Sequence, residues 1–320
     1  MVKQRSATRL VFGWLSLRRT VMVMLLLLTG HLSSSGQGLP NLLLHDRELR
    51  SEYGSYVGNQ RLAIAYHKGL LLVPGRVNDR AGYFLLDTGA PFLLINEVVE
   101  DPGADVAQGL QGAVQLGTRA YDWIDWGMKP LEQVEVSHAD LSHLHDYTGK
   151  AFLGILGYEA FAGQQVSIDY RNREIYFSKS NQPVLHLKGA PAFEWHFRQV
   201  GHIMLVEATL QGKKCYFILD TGSVNSVLDA REAALLTAVA QTDREVMLGS
   251  VDSRQLRTRY VQVQELAIQG QVYRELSLLP VDLSEVSKTL ETQVSGIIGN
   301  DILSQYTVAI DYKEKKIRFW

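Results

Sequence analysis

The stretch Phe84-Leu85-Leu86-Asp87-Thr88-Gly89-Ala90 recurs later in the chain as Phe217-Ile218-Leu219-Asp220-Thr221-Gly222-Ser223. Both copies lie at the ends of longer matching segments, Leu70–Ala90 and Ile203–Ser223, which align without a gap at an offset of 133 residues. Eight of the 21 aligned positions are identical. Self-similarity of this kind indicates an internal repeat.

A second pair of matching segments follows the first. Gly154–Phe177 aligns with Gly296–Phe319 at an offset of 142, with nine of 24 positions identical. The chain is therefore a duplication, and its second half is longer by nine residues, which we place between Ser250 and Val281. The short apolar and aromatic runs that end at each Asp-Thr-Gly are typical of buried strands.

The pattern predicts an all-β protein of two similar lobes with the active site in the cleft between them. Helices are expected to be few: one that Asp229 caps over Ala230–Ala240, and short ones after Gly157 and Gly299. The polar segment Ser178–Gly189 is the predicted joint between the lobes.

The first residues differ in composition from the rest of the chain. Basic residues precede an apolar run, Val21–Leu28, and small polar residues follow it. This order is typical of a secretory signal peptide, and the run is shorter than the roughly 20 residues needed to span a membrane. The predicted organisation is a signal peptide at 1–37, an N-terminal lobe at 38–180 and a C-terminal lobe at 181–320, in a protein that is exported to the periplasm or secreted.

The composition of the chain argues against nucleic acid as a partner and excludes an intrachain disulfide bond. The 320 residues include 46% hydrophobic and 21% charged residues and carry a net charge of −2, which argues against a nucleic-acid-binding protein. Cys215 is the only cysteine, so no intrachain disulfide can form, and we expect it to be a small buried residue.

The repeated Asp-Thr-Gly predicts acid–base chemistry. Each aspartate ends an apolar strand, threonine supplies a hydroxyl that fixes the loop, and glycine allows a sharp turn. Two such loops in a duplicated sheet domain can face each other across a pseudo-two-fold axis. Because two carboxylates at close range cannot easily both ionise, the pair tends to share one proton. One carboxylate is then a base for water and the other an acid for a substrate carbonyl.

The two loops resemble the active-site strands of the aspartic protease superfamily, the pepsins and retropepsins. The family's second signature, two apolar residues and a glycine, is matched by Ile155-Leu156-Gly157 and Ile297-Ile298-Gly299. The resemblance implies that Asp87 and Asp220 are catalytic. Further roles implied by the resemblance are crossed hydrogen bonds between the loops (Thr88, Thr221) and tight turns (Gly89, Gly222).

The resemblance also implies an asymmetry and a flap. Ser223 matches a residue whose hydroxyl supports the outer oxygen of its aspartate, whereas Ala90 has no hydroxyl, so Asp220 is expected to ionise more readily. By position the substrate-covering flap falls near Gly117–Gly127, where Tyr121 is a candidate for the flap tyrosine of the pepsins. The alternative for Tyr121 is ordinary packing on a strand face.

A second cluster of polar residues offers a rival site. His138, Asp140, His143, His145 and Asp146 lie within nine residues, but the aligned segment of the second half has no histidine. We therefore predict a polar surface loop there, with no metal and no cofactor.

Three classes of function remain open from the sequence. The favoured one is an aspartic endopeptidase acting on a peptide or protein substrate, active as a monomer, with no nucleic-acid partner and no membrane contact after signal cleavage. The alternatives are a non-catalytic peptide-binding module on the same fold and a structural protein of the envelope.

Overall fold

The computed structural model describes residues 60–100, 106–108, 113–128, 130–180, 187, 189–236, 241–250 and 255–320, together with the strand Leu27–Gly30. Most of the predicted signal peptide and part of the predicted joint at Ser178–Gly189 therefore lie outside the described residues. Within the described ranges, no helix combines the length and the apolar composition needed to cross a membrane.

Strands dominate the described part of the chain. In the first half they are β1 (Leu27–Gly30), β2 (Gln60–Ala63), β3 (Ala65–His67), β4 (Leu70–Val77), β5 (Arg80–Leu86), β6 (Leu94–Asn96), β7 (Val106–Gln108), β8 (Ala113–Gln115), β9 (Gly117–Asp125), β10 (Leu131–Ala139), β11 (Phe152–Leu156), β12 (Gln164–Asp169) and β13 (Glu174–Lys179). In the second half they are β14 (Phe193–Val200), β15 (Ile203–Leu210), β16 (Lys213–Leu219), β17 (Val227–Asp229), β18 (Gln241–Ser250), β19 (Gln255–Ile268), β20 (Gln271–Val281), β21 (Gly296–Ile298), β22 (Thr307–Asp311) and β23 (Lys316–Phe319).

Short helices interrupt the strands. The α-helices are α1 (Ser142–Thr148), α2 (Ala230–Leu235), α3 (Ser284–Thr289) and α4 (Asn300–Leu303), and a 3-10 turn covers Tyr158–Ala160. The side chain of Asp229 accepts a hydrogen bond from the Arg231 amide, so it caps α2 as predicted, but the helix ends at Leu235 and does not reach the predicted Ala240. The turn and helix expected after Gly157 and Gly299 are also confirmed.

The two lobes have the same strand order. The N-terminal sheet runs β3-β4-β5-β11-β6-β10-β9, and β9 also pairs with β4. The corresponding strands of the C-terminal lobe run β14-β15-β16-β21-β17-β20-β19, and β19 also pairs with β15. Each lobe is therefore a sheet closed on itself, and the duplication inferred from the sequence is a duplication of this architecture.

A third group of strands joins the lobes. Its order is β14-β23-β22-β12-β13-β2, with antiparallel neighbours throughout. Three of these strands come from each half of the chain, and β12 and β22 meet at the centre. Strand β14 shows the alternation of a half-buried strand, since Trp195 and Phe197 are buried whereas His196 and Arg198 are exposed.

One cluster of buried apolar side chains runs through all three groups of strands. It includes Val73 and Phe84 of the N-terminal lobe, Val166 of the central sheet, and Phe217 and Val263 of the C-terminal lobe. Because this cluster is continuous, it connects the ends of β5 and β16, and each lobe has a further apolar cluster of its own.

The register of the hairpins corrects the expected position of the nine extra residues. Val136 pairs with Arg119 in the N-terminal lobe, and Leu278 pairs with Val261 at the equivalent place in the C-terminal lobe. The offset of 142 thus already holds at Val261. The extra residues therefore precede Val261 and do not lie in the later part of the predicted range, Val261–Val281.

Candidate active site

The two Asp-Thr-Gly loops begin where buried parallel strands end. Strand β5 pairs with β11, and β16 pairs with β21, in parallel. The Asp87 amide donates to the Leu156 carbonyl and the Asp220 amide to the Ile298 carbonyl, each over 3.0 Å. The last residues of each strand are fully buried, so the loops start from rigid positions at equivalent ends of the two lobes.

The threonines link the loops to each other. The Thr88 amide donates to Thr221 Oγ1 over 3.1 Å, and the Thr221 amide donates to Thr88 Oγ1 over 3.0 Å. Each hydroxyl in turn donates to a carbonyl of the opposite lobe: Thr221 Oγ1 to Leu86 O over 3.0 Å, and Thr88 Oγ1 to Leu219 O over 3.4 Å. These crossed hydrogen bonds have the pattern that the sequence predicted, and they fix the separation of the two aspartates.

The glycines allow each loop to approach the opposite carboxyl group. A Cβ atom at Gly89 would lie 2.8 Å from Asp220 Cγ, and one at Gly222 would lie 2.4 Å from Asp87 Cγ. Any other residue would push the carboxyl groups away. The glycine in each loop is therefore a requirement of the pairing as well as of the turn.

The carboxyl groups of Asp87 and Asp220 share a donor. The Gly89 amide lies 2.8 Å from Asp87 Oδ1 and 3.2 Å from Asp220 Oδ1. The Gly222 amide donates to Asp220 Oδ1 over 2.8 Å. Both side chains are fully buried, and both Oδ2 atoms are buried without accepting a hydrogen bond from an N–H or hydroxyl group of the described residues.

Burial of two adjacent carboxyl groups raises their pKa values. Burial raises the pKa of Asp220 to about 7. Burial, together with the neighbouring charge of Asp220, raises the pKa of Asp87 well above its usual range. The physical cause is that a charged carboxylate loses hydration and meets a like charge at close range. The two groups therefore lose their protons in two steps, and once the first has left, near pH 7, they hold one proton between them.

The predicted support of Asp220 by Ser223 is wrong. Ser223 Oγ donates to the Asn225 carbonyl over 2.8 Å, so its hydroxyl proton is used within its own loop. The difference between Ala90 and Ser223 thus supplies no reason for Asp220 to ionise more readily. The pair titrates as a unit instead.

The predicted flap segment is a sheet strand. Gly117–Asp125 forms β9, which pairs with β10 along its length and with β4 near its end. Tyr121 is 2% exposed, and its hydroxyl donates to Glu97 Oε2 over 2.8 Å. These contacts support the packing alternative for Tyr121.

A separate pair of antiparallel strands lies a few residues earlier in the chain. Strands β7 and β8 form a two-stranded hairpin of their own between β6 and β9. Its counterpart in the C-terminal lobe is the hairpin of β18 and β19. The sequence analysis missed it because the strands are short and lack a clear alternation of apolar and polar residues.

The histidine cluster forms part of a strand and a helix. His138 lies in β10, and His143 and His145 lie in α1, where a polar loop was predicted. The described residues contain no group of three or more His, Cys, Asp or Glu side chains placed to hold a metal ion. Cys215 is buried in β16, and burial raises the pKa of its thiol to about 11, so it is not a reactive thiolate.

Two residues near the loops were not predicted from the sequence. Asn300 Nδ2 donates to Thr221 O over 2.7 Å and to Gly69 O of the other lobe over 2.9 Å. His202 Nε2 lies 3.1 Å from Gly89 O, again across the lobes. In the alignment of the two halves, Asn300 is equivalent to Tyr158 and His202 is equivalent to Gly69. A search for positions at which the two halves differ in residue type could have identified both residues from the sequence.

A comparison with solved structures returned the crystal structure of an aspartic proteinase from Irpex lacteus. The match has 10% sequence identity and a TM-score of 0.49, and it covers 82% of this chain and 97% of that one. No curated protein sequence matches the chain.

A comparison with family models matched residues 206–302 to a family described as aspartyl protease. The matched segment contains the second Asp-Thr-Gly loop and the Ile-Ile-Gly strand that packs behind it. The first half repeats both features in the same strand order. Over residues 206–302 the chain is therefore similar to the aspartyl protease family.

Proposed function

We propose that the chain is an aspartic endopeptidase in which Asp87 and Asp220 activate water to hydrolyse peptide bonds. The observation that carries the proposal is the pair of buried carboxyl groups that share the Gly89 amide. A pair that holds one proton near neutral pH contains a base and an acid side by side.

The chemistry follows from that single proton. The ionised carboxylate takes a proton from water as the oxygen attacks the peptide carbonyl, while the protonated carboxyl group donates its proton to the carbonyl oxygen. The resulting tetrahedral diol collapses when the C–N bond breaks and a proton passes to the leaving amine. The buried Oδ2 atoms are the oxygens available for this chemistry, because each Oδ1 is already occupied by backbone amides.

The main alternative is a peptide-binding module without turnover. Both loops keep the aspartate, the threonine that hydrogen-bonds to the other loop, and the glycine that leaves room for the opposite carboxyl group. A module that only binds peptides does not need two carboxyl groups that face each other. We also propose that the protein is exported, on the basis of the signal-like residues 1–37; N-terminal sequencing of the protein purified from its native host tests this.

The test of function is cleavage of a mixed peptide library with and without the carboxyl pair. We expect the wild type to cleave, and Asp87→Asn and Asp220→Asn to lose turnover by a factor of about 10³ or more while still folding, because an amide cannot take the water's proton. A statine-type transition-state mimic should inhibit the wild type. Equal cleavage by the wild type and the Asn variants, in preparations free of host proteases, would favour the binding module.

A further inference from the structure

His202 lies in a tight turn that reaches across to the other lobe. The turn, Gly201–His202, connects β14 to β15, whose last and first residues, Val200 and Ile203, pair directly. The side chain is half-buried, and its Nε2 lies 3.1 Å from the carbonyl oxygen of Gly89. A carbonyl oxygen can only accept a hydrogen bond, so Nε2 carries the hydrogen and donates it.

The peptide group that His202 contacts also holds Asp87. The carbonyl of Gly89 and the amide of Ala90 belong to one peptide unit, and the Ala90 amide donates to Asp87 Oδ1 over 3.1 Å. A donor at the oxygen of an amide polarises it and strengthens the hydrogen bond that its N–H donates. His202 is therefore connected to the carboxyl group of Asp87 through a single planar unit.

The contact exists on one side of the pseudo-two-fold axis. At the offset of 133 residues, the position of His202 is held in the first half by Gly69. Gly69 has no side chain to donate, and a Cβ there would lie 2.5 Å from Val224 Cγ1. The structure thus makes the environments of two otherwise similar aspartates unequal, which the difference between Ala90 and Ser223 does not.

We propose that His202 is a positioning residue that holds the Gly89–Ala90 peptide against Asp87 and so sets the geometry and proton affinity of the pair. This inference rests on the proposed endopeptidase function. His202 acts through the peptide and touches neither carboxyl group in the described contacts.

The test compares His202→Ala with His202→Gln, whose side-chain amide can place a donor close to the position of Nε2. His196→Ala is the matched control, because His196 lies on the same hairpin with a 61% exposed side chain. We expect kcat to fall about 2- to 10-fold in His202→Ala, the range for the loss of one hydrogen bond, with KM within about 2-fold. His202→Gln should recover most of kcat, and His196→Ala should match the wild type.

A second readout does not need turnover. In protein labelled with 13C at the aspartate carboxyl carbons, we expect the Asp87 signal to titrate at higher pH in His202→Ala than in the wild type, because the ionised form has lost part of its stabilisation. The groups that act on this titration through space, Asp220 and Tyr312, are the same in every variant.

The outcomes separate this inference from the proposed function. Wild-type kcat and an unshifted Asp87 signal in His202→Ala would overturn the role of His202 and leave the endopeptidase standing. A loss of kcat that His202→Gln does not recover, accompanied by a lower melting temperature in both variants, would mean that His202 only stabilises the fold. An inactive wild type would refute the endopeptidase, whereas the carboxyl titration would still decide whether His202 acts on Asp87.

Discussion

At the scale of single residues, the site depends on groups that act on the opposite lobe. Each threonine hydroxyl accepts from the amide and donates to a carbonyl across the interface. Each glycine leaves room for the carboxyl group that faces it. These roles could be predicted from the sequence because they belong to residues that the duplication repeats. The roles of Ser223 and His202 could not, because they depend on which neighbour a side chain reaches in space.

Replacement of Thr221 by valine tests the crossed hydrogen bonds between the two loops. Thr221→Val keeps the shape of the side chain but leaves the Thr88 amide without its acceptor and the Leu86 carbonyl without its donor. We expect the free energy of unfolding to fall by about 1–3 kcal/mol, the cost of unsatisfied buried polar groups, and cleavage to slow as well. Denaturant unfolding monitored by tryptophan fluorescence measures the first effect. Thr209→Val, at a half-buried position of β15, is the control. An equal loss of unfolding free energy in this variant would contradict the stabilising role of the crossed hydrogen bonds.

The raised pKa values predict how stability depends on pH. In the folded protein Asp220 keeps its proton up to about pH 7 and the pKa of Asp87 is also raised well above its usual range, whereas an unfolded aspartate loses its proton near pH 4. From about pH 4 upward the folded state binds more protons than the unfolded state, so the pair's contribution to stability falls as pH rises through the pKa of Asp220 and goes on falling until the second proton of the pair is also lost. We expect Asp220→Asn, which removes one charge, to gain stability relative to the wild type progressively from about pH 4 to 7. A difference in melting temperature that is the same at every pH would argue against a coupled pair.

At the scale of elements, the sequence predicted strands better than helices. The strands that lead to Asp87 and Asp220 are apolar and buried in their last residues, and the glycines that follow β11 and β21 lie against the loops as the family pattern implies. Helices α1 and α3 were missed, although they occupy equivalent places in the repeat, because their histidines and charged residues show no clear helical periodicity. The segment near Gly117–Gly127, which was proposed as the flap by its position, contains strand β9, in which Tyr121 is buried and Trp123 is exposed.

The glycine behind the C-terminal loop provides a test at this scale. A Cβ at Gly299 would lie 2.8 Å from the backbone atoms Ser223 O and Asn225 C, neither of which can rotate away. We expect Gly299→Ala to displace the loop that carries Asp220, lowering both the melting temperature and kcat. Gly212→Ala is the control, because a Cβ there has nothing within 4 Å and costs only the strain of its left-handed backbone, about 1 kcal/mol. A Gly299→Ala variant that is no less stable than Gly212→Ala would show that the close packing behind the loop is unimportant.

At the scale of the whole molecule, duplication explains both what could be predicted and what could not. Two copies of one lobe produce a site on the axis between them, so the aspartate pair follows from the repeat. The departures from symmetry lie on the same axis: Asn300 replaces Tyr158, and His202 replaces Gly69. Asn300 connects the central sheet, where Tyr170 donates to its Oδ1 over 2.8 Å, to the Thr221 carbonyl and to Gly69 of the other lobe. No rule of local sequence predicts a residue that joins three elements.

The last prediction concerns the number of chains that one site needs. The crossed threonine bonds, the central sheet of three strands from each half, and the shared apolar core are all made within a single chain. Dilution should therefore leave the site assembled, since its parts cannot diffuse apart. We expect the specific activity to stay constant as the enzyme is diluted over several orders of magnitude, and a tight-binding statine-type mimic to titrate one site per chain. Sedimentation velocity at the same concentrations shows whether the active species is the monomer. A specific activity that falls on dilution together with the loss of a dimer, or a stoichiometry of one mimic per two chains, would mean that a second copy completes the site.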